Sequence, residues 1–192
     1  MYGPRTAIIN QIRVRHPEEC WLGEYSIIDD FCYIAVNLHI GDYSHIGSNC
    51  SFLGSGSSVD IGDFVNIATG CRFVCAGHDY KYGGLNGPAI PEEYRGHSTV
   101  GNIKLRDHVL IGCNSVILPG VFLPEGVAIG ALSLVKPGIY RPWTLYAGIP
   151  AVEIGPRYAG DILQQAKRLI NVNNCNCSDA FQGQPINNNT ST

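Results

Sequence analysis

The chain has 192 residues, 45% of them apolar, and 13 Lys and Arg against 16 Asp and Glu give a formal charge of −3. That balance offers no general attraction to nucleic acid or anionic lipid, and no apolar run approaches the ~18–20 residues needed to span a membrane. Met1 to Gln11 lacks the charged start and long apolar centre of a secretory leader, so one cytoplasmic domain, without membrane insertion or nucleic acid, is the expectation.

Residues 1–21 read as a lead-in whose Ile8, Ile12 and Val14 cover the open end of the repeats that begin at Leu22. Leu22, Ile28, Ile34, Ile40, Ile46 and Phe52 stand six residues apart, and the beat returns at Ile61, Ile67 and Phe73. It resumes at Leu105, Ile111, Ile117, Leu123, Ile129 and Val135. Six matches neither the 3.6 of a helix nor a heptad, and a fixed short period marks a repeat whose units bury their apolar faces against one another. A second column lies four residues after each beat: Ser26, Cys32, Ser44, Cys50, Val65, Cys71, Ser115, Val121, Val127 and Ser133. These residues are two before the next beat, and residues two apart share a face of a strand. Each hexapeptide is therefore a short strand with one small and one large residue inward, followed by a corner. The chain is predicted to be an all-β parallel β-helix of hexapeptide repeats. With three strands to a turn, its fifteen beats make about five coils. Each buried aliphatic contributes roughly 1.5–3 kcal/mol, so such a core can carry the fold.

Two interruptions stand out. The beat slips by three residues through Gly54-Ser55-Gly56-Ser57-Ser58, a corner insertion. Between Phe73 and Leu105 the step of six becomes thirty-two, so residues 79–104 leave the helix as one long protruding loop. Loops of that length in compact domains are usually functional. This one carries Tyr80, Tyr82, Glu92, Tyr94, Arg95 and His97, an aromatic and polar mix.

Beyond Val135 the repeat domain runs to residue 157, and residues 158–172 read as a short C-terminal α-helix. Asp161 and Gln164 resemble a capping box, and Ile162, Leu163, Ala166, Leu169 and Ile170 form an apolar stripe. Residues 173–192 are a polar, Asn-rich tail expected to be weakly ordered. Among the cysteines, Cys32, Cys50 and Cys71 occupy the small inward slot and are expected to be inert core residues. Cys175 and Cys177 fall short of the four ligands of a structural zinc, and no metal is predicted.

The hexapeptide run, Ala76-Gly77-His78 at the root of the long loop, and Tyr146-Ala147-Gly148-Ile149-Pro150-Ala151 at the end of the repeats resemble the left-handed β-helix acyltransferases. The galactoside, maltose and xenobiotic O-acetyltransferases are the branch most similar, over residues 22–157. The resemblance implies a left-handed coil, a homotrimer and an acetyl-CoA co-substrate. It makes His78 the catalytic general base, with Asp79 or a backbone carbonyl fixing its tautomer. For such an enzyme Tyr80, Tyr82, Glu92, Tyr94 and Arg95 of the long loop are the expected acceptor-binding residues, and His97 is within reach of the acceptor. An imidazole can take a proton from the attacking acceptor and return it to the leaving thiolate. For CoA the resemblance points to Gly112, Cys113, Gly130, Ala131, Lys136, Ala147, Gly148 and Pro150, with Arg157 meeting a phosphate. Several positions depart from the family: Leu110 stands where relatives have Trp, Cys113 where they have Ser, and Val152 where they have Lys or Arg. The sugar-reading Asn and Asp of the galactoside enzymes fall near Ser48 and Gly56, so the acceptor is expected to be read differently.

The remaining histidines carry less. His39 and His45 are six apart, on successive faces, and do not converge; His108 falls at a corner and is expected to be exposed. O-acetylation of a sugar, for surface polysaccharide synthesis, is the leading reading. N-acetylation of an amino-sugar nucleotide is the alternative, and a non-catalytic scaffold is the alternative of another class.

Overall fold

The computed structural model describes residues 7, 8, 11–54, 56–78, 80, 81 and 83–175. Residues 1–157 form one unit and residues 158–192 another. In the first unit, short parallel strands stack into three faces. Leu22, Ile40, Ile61, Leu105 and Leu123 are register partners along the first face. Ile28, Ile46, Ile67, Ile111, Ile129 and Tyr146 run along the second. Val14, Ile34, Phe52, Phe73, Ile117 and Val135 run along the third. All fifteen beats are at most 5% exposed, so the period read from the sequence is the core of the molecule. Phe52 and Phe73 stack within it, ring centroids 4.7 Å apart.

The coil begins earlier than Leu22. Ala7–Ile8 pairs with Ile27–Ile28, and Arg13–Val14 with Tyr33–Ile34, both in parallel. The third face holds six strands among the described residues, giving about six turns rather than five. Ile8 and Val14 keep the six-residue spacing. The step of eight to Leu22, which accommodates the 3-10 turn Pro17–Glu19, is what hid them from the beat. Ile12 and Val14 pack on the core as expected of an end cover.

The small column does more than save space. Ser26 Oγ donates to Gly41 O at 2.6 Å, Ser44 Oγ to Gly62 O at 2.9 Å and Ser115 Oγ to Gly130 O at 3.0 Å. Cys32, Cys50 and Cys71 direct their thiols to the carbonyls of Gly47, Ala68 and Gly112 at 3.2–3.4 Å. These six slots thus satisfy corner carbonyls of the next turn, groups that burial would otherwise leave costly, while Val65, Val121 and Val127 fill the same column with apolar volume alone. The three cysteines are buried, as expected.

One corner carries an aromatic ladder with no counterpart in the sequence reading. Tyr25, Tyr43, Phe64 and His108 stack with centroids 4.8–5.1 Å apart, and Trp143 tilts onto His108 at 5.7 Å. All five have positive φ, between 52° and 61°, a left-handed corner that costs a residue with a Cβ about 1–2 kcal/mol and that ring stacking offsets by about 0.5–1.5 kcal/mol per pair. Gly126 is the missing rung: a Cβ there would lie 2.2 Å from the Trp143 ring. His108 is therefore buried, not exposed; the ladder covers it.

The second unit is described by the helix Gly160–Cys175. It starts one residue before Asp161, so this carboxylate lies in the first turn, where it favours the helix dipole, instead of capping. Leu169 and Ile170 of the apolar stripe are exposed. The tail from residue 176, with Cys177, lies outside the described residues.

Candidate active site

The long excursion leaves earlier than the break in the six-residue spacing suggested. Ala76–His78 departs as a strand and pairs antiparallel with the returning Ser98–Val100, with Ala76 opposite Val100, Gly77 opposite Thr99 and His78 opposite Ser98. Gly101 N donates to Cys75 O at 2.9 Å and closes the base. The coil resumes at Ile103, opposite Val59. The arm thus spans 76–102 rather than 79–104, and His78 sits on a ribbon rather than at its root. Gly54, with φ of +126°, passes under the exit; a Cβ there would come within 2.8 Å of Ala76 N.

Further out, Leu85 N donates to Tyr94 O and Gly96 N to Leu85 O, at 3.1 and 3.0 Å. Gly84, with φ of +148°, lies so near Gly96 that a Cβ would meet its Cα at 2.3 Å. The tip turns through Gly87–Ile90 into the 3-10 turn Glu92–Tyr94. Arg95 ties this tip together, donating through Nε to Ile90 O and through Nη2 to Pro88 O at 3.2 Å. The result is a cleft of about 520 Å³ lined by His78, Gly83, Glu92, Arg95, Gly96, His97 and Ser98.

Three of the sequence-selected residues, His78, Glu92 and Arg95, thus share one cleft, and His97 joins them. Tyr80 is 99% exposed and Tyr94 62%, and neither lines it. Asp79 and Tyr82 lie outside the described residues. Ser98 was not anticipated, because only the hairpin register brings it opposite His78.

The residues assigned to CoA divide between corners. Gly112, Cys113, Gly130, Ala131 and Ala147 form one edge: a Cβ on Gly112 would meet Ala131 N at 2.4 Å, and one on Gly130 would meet Ala147 Cβ at 2.8 Å. Coil stacking alone therefore demands these glycines. Gly148 N donates to Ser133 Oγ at 3.1 Å and joins that edge, while Cys113 and Ala131 are exposed on it. Pro150 is exposed at the turn between Thr144–Gly148 and Ala151–Pro156. Lys136 lies one corner further on, its carbonyl accepting from Tyr140 Oη at 2.7 Å. Arg157 is not on the edge at all. Its Nη1 donates to His108 O at 2.6 Å and Gly126 O at 2.9 Å, its guanidinium lies 5.6 Å from the Trp143 ring centroid, and burial lowers its pKa. It caps the aromatic ladder.

Cys75 is buried, its thiol pushed up to about 11 by that burial. His39 and His45 serve separate partners, Asp60 at 3.1 Å and Asp29 at 3.0 Å. Among the described residues no group of three or more His, Cys, Asp or Glu side chains is placed to hold a metal ion.

No family profile matches the chain. Over 140 residues it is 39% identical to the dTDP-4-amino-4,6-dideoxy-D-glucose acyltransferase of Escherichia coli, spanning 71% of each protein. The chain belongs to the hexapeptide-repeat acyltransferases. It is an enzyme of that family, with the parallel β-helix the repeat predicts and the left hand the resemblance implied. AntD, an N-acyltransferase from Bacillus cereus solved with dTDP and 3-hydroxybutyryl-CoA, superposes with a TM-score of 0.82 at 32% identity, over 89% of this chain and 90% of that one. A maltose O-acetyltransferase from Clostridium difficile, at 24% identity and a TM-score of 0.54 over 81% of this chain and 68% of that one, shares the fold alone. Within this acyltransferase family, the likeness to the amino-sugar enzymes is thus the greater.

Proposed function

We propose that this acyltransferase moves an acyl group from acyl-CoA to the amino nitrogen of a dTDP-linked amino-deoxy sugar. The observation that carries the reading is the 39% identity to the dTDP-4-amino-4,6-dideoxy-D-glucose acyltransferase. A second relative, AntD, was solved with dTDP-4-amino-4,6-dideoxyglucose and coenzyme A as a point mutant, at a TM-score of 0.84. These relatives favour nitrogen over the hydroxyl acceptor that the sequence reading preferred.

The cleft fits the chemistry. The amine nitrogen attacks the thioester carbonyl, the C–N bond forms, and the C–S bond breaks to release the CoA thiolate. His78, exposed in the cleft, accepts the proton the nitrogen loses and returns it to the sulfur. The edge of Gly112, Cys113, Gly130, Ala131 and Ala147 is the surface along which we place the CoA arm, with Gly148, Pro150 and Lys136 beside it. Arg157 is better assigned to the ladder. The assembly is taken as a homotrimer, since a cyclic arrangement would repeat one cleft three times; light scattering that gives an active, stable monomer would rule this out.

The test is thiol release from acetyl-CoA and 3-hydroxybutyryl-CoA, with dTDP-4-amino-4,6-dideoxyglucose, galactosides and maltose as acceptors. Turnover confined to the amino-sugar nucleotide supports the reading. Turnover on a neutral sugar alone would restore O-acetylation.

A further inference from the structure

Arg95 and Glu92 belong to one 3-10 turn, with Arg95 N donating to Glu92 O at 3.0 Å. A cation three residues after a carboxylate is its natural ion-pair partner. Here it is turned away: the guanidinium is held by the carbonyls of Ile90 and Pro88. Among the described residues the ion pairs are His16–Glu18, His39–Asp60, His45–Asp29 and Arg141–Glu153. Glu92 is in none of them. Among the same residues it is also the one carboxylate lining the cleft with His78. The tip is therefore built so that Glu92 brings a negative charge to the cleft, while Arg95, which lines the same cleft, has its guanidinium tied to the carbonyls of Ile90 and Pro88 and not to Glu92.

We infer that Glu92 selects for a positively charged acceptor, its carboxylate binding the ammonium of the incoming amino sugar beside His78. This rests on the proposed N-acyl transfer and deepens it. A primary aliphatic amine is largely protonated at neutral pH, so it meets the carboxylate as an ion of opposite charge. A hydroxyl at the same sugar carbon can donate a hydrogen bond to the carboxylate but carries no charge and lacks that attraction. Glu92 thereby discriminates nitrogen from oxygen before chemistry: the ammonium gives up one proton to solvent by way of His78 before attack, and His78, neutral again, takes the second proton as the C–N bond forms and returns it to the departing sulfur.

The test compares the unmutated enzyme with Glu92→Gln, Glu92→Asp and Glu93→Gln. Glu93 lies in the same turn but does not line the cleft. Two quantities are read: KM for dTDP-4-amino-4,6-dideoxyglucose, and inhibition by the same nucleotide sugar bearing a hydroxyl in place of the amine. The expected result for Glu92→Gln is a KM raised about 3- to 10-fold near neutral pH, with kcat unchanged and inhibition by the hydroxyl analogue weakened by a clearly smaller factor. Glu92→Asp falls between, and Glu93→Gln matches the unmutated enzyme. The KM gap narrows at higher pH as the free amine loses its charge. An unchanged KM in Glu92→Gln overturns the inference, as does equal weakening of amine and hydroxyl ligands, or an equal effect from Glu93→Gln. If the unmutated enzyme does not turn over the amino-sugar nucleotide, the proposed function falls and this inference with it.

Discussion

His78 and Ser98 stand directly opposite one another across the antiparallel ribbon at the base of the arm, so both side chains rise from one face into the same cleft. The hexapeptide core does not touch this pair's chemistry; it holds the base of the ribbon through Cys75 and Gly101. Substitutions at this pair are therefore separable from the packing of the coil.

His78→Ala should leave the fold and CoA binding intact while lowering turnover by about 10²-fold, the lower end of the usual contribution of a general base. An amine that has already lost its proton needs less help, so the deficit should shrink as pH rises. Steady-state rates of the two across pH check this, and equal turnover at neutral pH would remove His78 from catalysis.

Gly84→Ala should damage the site without damaging the coil. Its Cβ would sit 2.3 Å from Gly96 Cα, so the tip must open, displacing Glu92 and Arg95 relative to His78. A displacement of about 1 Å at a reacting group can cost on the order of 10²-fold. We expect kcat/KM to fall by about tenfold or more with the thermal midpoint almost unchanged. A fully active variant would show that the tip does not shape the site.

Thiol labelling should separate the cysteines. Cys32, Cys50, Cys71 and Cys75 are buried and Cys113 is exposed. Cys75, held near 11 by burial, is moreover almost wholly a thiol at pH 8. Mass spectrometry after brief native labelling should find Cys113 modified and these four unmodified until denaturant is added. Excess acyl-CoA should slow labelling of Cys113 if the Gly112–Gly130 edge holds CoA.

Gly126→Ala should be the most destabilising of these changes. It combines a left-handed backbone, φ +71°, with a clash against the Trp143 ring, at roughly 1–2 kcal/mol for the backbone and about 0.5–1.5 kcal/mol for the lost stack. The denaturation midpoint in urea should fall clearly, and by more than in Gly77→Ala, where a Cβ meets nothing within 4 Å.

The scaffold was legible because its rule is local. A small residue two before a large one, repeated every six, needs no knowledge of distant chain to predict that Leu22 lies over Ile40 or Cys32 beside Cys50. The first turn escaped, where the step from Val14 to Leu22 is eight, and so did the strand of Tyr146, which extends the second face beyond the last beat at Val135. His78 was legible through the Gly-His at the loop, and Glu92 and Arg95 through the loop's polar composition. What stayed hidden depends on contacts between residues far apart in sequence. Ser98 became a site residue through the hairpin register, Tyr80 and Tyr94 fell outside the cleft for the same reason, and Arg157 was drawn to a ladder whose rungs are Tyr25, Tyr43, Phe64, His108 and Trp143. Those rungs follow no single spacing, because insertions between the turns shift them. Side-chain period and inward volume determine a solenoid, but the closure of a long arm and the filling of a corner are decided by where the turns bring distant residues together.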